Sequence, residues 1–80
     1  MKYKLFTTRM CPRCPAVKEF MTAQDKVQGE VVDASTPEGY EEARKFSVTA
    51  VPTVVFVDDS GKEVKRCGGK EEIEEFLSSI

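Results

Sequence analysis

The 80-residue chain predicts an α/β fold, a four-stranded mixed sheet with helices on both faces in the order βαβαββα. Three observations predict it. Short runs of strand formers alternate with stretches whose apolar residues recur at helical spacing. Thr53 to Val57 is a continuous apolar run, the pattern of a strand covered on both faces. Asp58-Asp59-Ser60-Gly61 is a turn sequence too short for a crossover, so the strands on either side of it form an antiparallel hairpin. Strands separated by a helix are expected to be parallel neighbours.

The elements follow in order. Lys2 to Thr7 is rich in strand formers and reads as β1. Val17, Phe20, Met21 and Gln24 recur at i, i+3, i+4 and i+7 and mark helix α1. Pro12 suits its beginning, whereas the ring of Pro15 faces the carbonyl of Cys11 and distorts or delays the first turn. Val27 to Asp33 reads as β2, weakened by Gly29. Ser35-Thr36-Pro37-Glu38 is a helix start with a hydroxyl cap, proline at the first helical position and an early acid. Tyr40, Ala43 and Phe46 mark the buried face of the α2 that follows. Thr53 to Val57 is β3, Lys62 to Cys67 is β4, and Gly68-Gly69 breaks that strand. Ile73, Phe76, Leu77 and Ile80 give α3 its apolar stripe. Tyr40, Phe46, Phe56 and Phe76 are expected in the core. The expectation is a single domain over residues 1–80.

Composition narrows the function. Net charge is −2 with acids and bases interspersed, which points to neither nucleic acid nor an anionic membrane. No apolar run approaches the roughly 20 residues of a membrane span. Lys2 and Lys4 interrupt any signal-peptide core, so a cytoplasmic location is expected. With no histidine, Cys–His nucleophile pairs and Cys/His zinc sites drop out, and three cysteines fall short of a four-thiolate site. Neither a metal nor a cofactor is expected.

The chemistry centres on Cys11-Pro12-Arg13-Cys14. A Cys-x-x-Cys at a strand-to-helix junction reads as a redox pair. The first turn of a helix has unpaired N–H groups and the positive end of the helix dipole, and both favour a thiolate. Arg13 adds a fixed positive charge beside Cys11, and Lys18 is a candidate for a second. The competing reading makes both cations ordinary solvated charges.

These residues resemble the thioredoxin/glutaredoxin superfamily, over essentially the whole chain. Cys11-Pro12-Arg13-Cys14 after the first strand, Val51-Pro52-Thr53 before the third and Gly68-Gly69 after the fourth carry the resemblance. The Cys-Pro-x-Cys-Pro form is similar to the small glutaredoxin-like thioredoxins of archaea and anaerobes. The resemblance implies a thioredoxin fold and a thiol–disulfide oxidoreductase that reduces protein disulfides through a Cys11–Cys14 cycle. Cys11 would attack and Cys14 resolve. Pro52 would be a cis-proline facing the disulfide, and the Val51 backbone would pair with an extended substrate segment. Ribonucleotide reductase and peroxide-detoxifying enzymes are client classes implied in the same way, with thioredoxin reductase or glutathione as reductant and a monomeric state. Arg13 stands where dithiol glutaredoxins carry Tyr, Met10 stands where thioredoxins carry Trp, and Lys70-Glu71 follow Gly68-Gly69. The last departure favours thioredoxin-like reductase use over a glutathione-dependent glutaredoxin. The remaining alternative is a metal or iron–sulfur module.

Two features have a plain and a functional reading. Gly68-Gly69 is a loop before α3 or part of a ligand site. Cys67 is a small apolar strand residue or an auxiliary thiol. If Val57 faces Lys62 across the turn, Cys67 falls opposite Pro52, at the end of the sheet that holds the other two thiols.

Overall fold

Where the chain leaves and re-enters the sheet decides its topology. The computed structural model describes residues 1–80, with β1 at Lys2–Thr7, α1 at Cys14–Ala23, β2 at Gln28–Asp33, α2 at Pro37–Lys45, β3 at Thr53–Val57, β4 at Glu63–Cys67 and α3 at Lys70–Ser78. The four strands lie in the order β2-β1-β3-β4. β1 and β2 are parallel. β3 is antiparallel to both β1 and β4. The expectation of two parallel crossovers is therefore corrected to one. Thr7 pairs with Asp33 and Phe6 with Thr53, so the chain leaves β2 and enters β3 at the same end of the sheet. α2 rises only about 13 Å, less than the ~20 Å length of a six-residue strand, so it does not carry the chain back to the far end.

α1 and α3 cover one face. There Leu5, Val17, Met21, Val54, Phe56 and Ile73 belong to the larger core. α2 covers the other, where Phe6, Ala43, Val55 and Val57 are buried with Phe46 against them. Every residue of β3 is buried, because both sets meet on it. The Phe56 and Phe76 rings pack tilted against each other, with centroids 4.6 Å apart. No helix is long and apolar enough to cross a membrane.

Local chemistry fixes the ends. Thr36 caps α2, its Oγ1 accepting from the Gly39 N–H at 3.0 Å while donating to the Asp33 carbonyl at 2.9 Å. Gln24 closes the turn after α1, donating to the carbonyls of Met21 and Val27 and accepting from the Val27 N–H. Gln24 is thus the cap of α1 rather than part of its stripe. Gly29 is tolerated in β2 because Tyr3 lies against it, and a Cβ there would overlap the Tyr3 carbonyl and ring.

Three expectations about side chains are corrected. Tyr40 is 57% exposed, because the core face of α2 is Gly39, Ala43 and Phe46. Gly39 sits so close to β2 that a Cβ would overlap the Asp33 carbonyl, and this close seating turns the next residue outward. Ile80 is exposed, since α3 ends at Ser78. Phe46 and Phe76 pack against the core from partly buried positions. β4 starts one residue late and is shifted: Val57 faces Glu63, Phe56 faces Lys65 and Val54 faces Cys67. The loop is longer than four residues and a bulge follows it, so Cys67 lies two pairs deeper in the sheet than expected.

Candidate active site

The dithiol motif sits where β1 hands over to α1. Arg13 is the N-cap residue and Cys14 the first residue of the helix. The Arg13 side chain makes no cap hydrogen bond. Instead the Cys14 N–H donates to the Sγ of Cys11 at 3.1 Å. Pro15 is the second helical residue, where its missing N–H leaves no donor orphaned. The awkward proline is thereby accommodated: the sulfur takes one first-turn donor and the ring abolishes another. Cys11 and Cys14 are disulfide-bonded, with Cα atoms 5.4 Å apart. Their exposure differs. Cys11 is partly exposed, whereas Cys14 is 4% exposed beneath it.

The second part of the site is the loop from α2 into β3, brought to this end by the topology. The Val51–Pro52 peptide is cis. The Thr53 Oγ1 donates to the Ala50 carbonyl at 2.7 Å and so ties the loop across the proline. Neither the N–H nor the C=O of Val51 has a hydrogen-bond partner within the chain. Pro52 is buried and Val51 partly exposed.

Two grooves open beside this junction. One, of about 560 Å³, is lined by Pro12, Arg13, Pro52, Gly68 and Gly69, with Glu71 and Glu72 on its rim. A Cβ on Gly69 would meet nothing, and one on Gly68 only the Glu72 carboxylate at 3.9 Å, so packing does not demand glycine at either place. The other groove, of about 580 Å³, lies on the α2 side and is lined by Thr8, Tyr40, Arg44, Val48 and Val51 among others. Met10, at 91% exposure, stands immediately before Cys11.

Of the residues singled out in the sequence, Pro12, Arg13, Pro52, Gly68 and Gly69 share one groove. Lys18 is exposed and lines neither groove. Cys67 is fully buried in the core, and burial pushes its thiol pKa up. Tyr40, on the wall of the α2-side groove, is the site residue that the sequence hides. Its helical spacing to Ala43 and Phe46 reads as a core position.

A parallel β1–α1–β2 unit, an antiparallel hairpin, a Cys-x-x-Cys disulfide at the first helix and a proline loop beside it define a thioredoxin-type fold with a thiol–disulfide site. Comparison with known proteins agrees. The thioredoxin-like domain family matches residues 3–80. A thioredoxin from Methanocaldococcus jannaschii is 35% identical, the match covering 74% of this chain and 73% of that one. A probable thioredoxin from Archaeoglobus fulgidus is 36% identical, the match covering 69% and 64%. Thioredoxin 1 from Thermosipho africanus superposes with a TM-score of 0.81 at 28% identity, covering 100% of this chain and 90% of its own. A thioredoxin from Thermus thermophilus gives 0.72 at 30% identity, covering 96% and 70%. The chain belongs to the thioredoxin-like family and has thiol–disulfide oxidoreductase activity.

Proposed function

We propose that the chain reduces disulfides in client proteins, with Cys11 as attacking thiol and Cys14 as resolving thiol, and that a thioredoxin-type reductase rather than glutathione restores it. The asymmetry of the pair carries the assignment: Cys11 is partly exposed and its sulfur receives the Cys14 N–H, while Cys14 is covered. In the reduced protein that N–H and the helix terminus favour the Cys11 thiolate. The thiolate attacks one client sulfur, the client S–S bond breaks, and the departing client thiolate takes up a proton. Cys14 then loses its proton and attacks the Cys11 sulfur. The mixed disulfide breaks, the second client thiol is released, and the Cys11–Cys14 disulfide holds the two-electron oxidation.

The free N–H and C=O of Val51 offer one rung of β-type pairing to an extended client segment. Pro12, Pro52 and the bare backbone of Gly68 and Gly69 give that segment a smooth floor. The reading against glutathione rests on the rim, where Glu71 and Glu72 would face the tripeptide's carboxylates. Lys70 also lines this groove, but its ammonium lies 3.8 Å from Glu74 and over the Phe20 ring at 5.8 Å. The family's ribonucleotide reductase and peroxide-detoxifying clients remain within this reading, as does action as a monomer in the cytoplasm.

Insulin reduction tests it. Turnover is expected with NADPH and a thioredoxin reductase, and turnover with glutathione alone would overturn the choice of reductant. Cys11→Ser should abolish activity, whereas Cys14→Ser should accumulate client mixed disulfides on Cys11. Accumulation on Cys14 in the Cys11→Ser protein instead would reverse the assignment.

A further inference from the structure

The chain is net acidic, yet three of its four arginines gather at the end of the sheet that bears the disulfide. Of the four arginines, only Arg66 is in ion-pair contact with a carboxylate, that of Glu63 at 2.7 Å. Arg9, Arg13 and Arg44 are exposed and lie at the disulfide end without such a partner. Arg9 is near enough to Asp33 to help hold that carboxyl below its ordinary range, after the Ser35 hydrogen bonds that do most of it. Arg13 belongs to a groove that it and Lys70 share with two carboxylates, Glu71 and Glu72. Arg44 is different. It is the one charged side chain lining the α2-side groove, whose other walls include Ala43, Val48, the Tyr40 ring and Val51.

Resting on the function proposed above, we propose that this groove selects client segments carrying a carboxylate beside the reactive cysteine, with Arg44 as the specificity-determining residue. A client strand held on the Val51 backbone sends alternate side chains toward the groove. A carboxylate entering it meets a planar guanidinium suited to two parallel hydrogen bonds, and no competing acid has to be displaced. A client lysine in the same place meets a like charge with no counter-ion. The contact is solvent-accessible, so its effect is modest and salt-sensitive. A single exposed pair is worth up to about fivefold in affinity.

The test uses pre-reduced full-length protein and three synthetic peptide disulfides with glutamate, serine or lysine flanking each cysteine. Single-turnover rates are followed by acid quench, alkylation and mass spectrometry. The glutamate peptide is expected to be reduced about fivefold faster than the lysine peptide in low salt, with the ratio falling toward one as salt is raised. Arg44→Gln should collapse the ratio and Arg44→Glu invert it, while Arg9→Gln should keep it. Equal rates for all three peptides, or a preference that survives Arg44→Gln, would overturn the proposal and leave the reductase reading intact. Failure to reduce any peptide or insulin would remove both.

Discussion

At the scale of single residues, the three cysteines show how environment divides one chemistry. Cys11 receives a backbone N–H, Cys14 supplies it, and Cys67 has neither solvent nor a role at the site. A thiol is nucleophilic only as thiolate, and burial raises the cost of that charge. Cys67 is fully enclosed among apolar neighbours, and desolvation pushes its pKa up. Iodoacetamide added to the reduced native protein should therefore modify Cys11 and leave Cys67 untouched until denaturant is added. Labelling of both at similar rates would show that the core opens. Cys67→Ser places a hydroxyl where nothing solvates it and should cost about 1–3 kcal/mol, read from the urea midpoint. Cys67 was placeable on a strand from the sequence but not in depth, because a hairpin loop one residue longer than its turn sequence and the bulge after it together moved its partner from Pro52 to Val54.

At the scale of elements, the ends were more legible than the faces. Thr36-Pro37-Glu38 announced the start of α2, since a hydroxyl cap and an N1 proline act through neighbours in sequence. The buried face depended on tertiary approach: Gly39 seats against Asp33, and so Tyr40 faces out. The direction of β3 was illegible for a similar reason, because an apolar run reads the same in either direction. The exit of α2 was also hidden. There the Val48 N–H bonds the Ala43 carbonyl at 2.8 Å and the Ser47 N–H bonds the Arg44 carbonyl at 3.0 Å, the paired bonds of a Schellman turn. Its left-handed residue is Ser47, at φ 55°, where glycine is the usual occupant. Arg66 reaches over from β4 to donate to the Phe46 and Ser47 carbonyls, adding a cation where the helix dipole is negative. Ser47→Gly should relieve the left-handed cost and stabilise the fold by about 1 kcal/mol, seen as a higher urea midpoint at unchanged slope. No gain would mean that the greater chain entropy of glycine in the unfolded state offsets the relief.

At the scale of the whole molecule, charge ties the layers together. The Lys4 ammonium in β1 lies 2.9 Å from Glu30 in β2 and 2.8 Å from Glu42 in α2, and 5.9 Å from the Phe46 ring centroid. Hydrogen bonds to Glu42 and then Glu30 raise the Lys4 pKa, while the bond from Lys4 holds Glu42 below its ordinary 4.5. Asp33 and Asp58 are held low chiefly by Ser35 and Ser60, and Glu63 by Arg66. A carboxyl whose pKa is lower in the folded state binds fewer protons there than in the unfolded chain. The stability it contributes is present above its unfolded value and is lost as pH falls through the folded one. These four carboxyl shifts act on the acid side, whereas the raised pKa of Lys4 acts on the alkaline side, where its contribution is lost as pH rises beyond 10.5. The urea midpoint should thus be flat through neutrality and decline below about pH 4.5. Glu42→Gln, which removes the acid that joins α2 to the sheet, should lower the neutral plateau and make the acid decline shallower. A decline of unchanged steepness would show that the Lys4 bridge is screened by solvent and that the turn carboxylates alone carry the acid sensitivity.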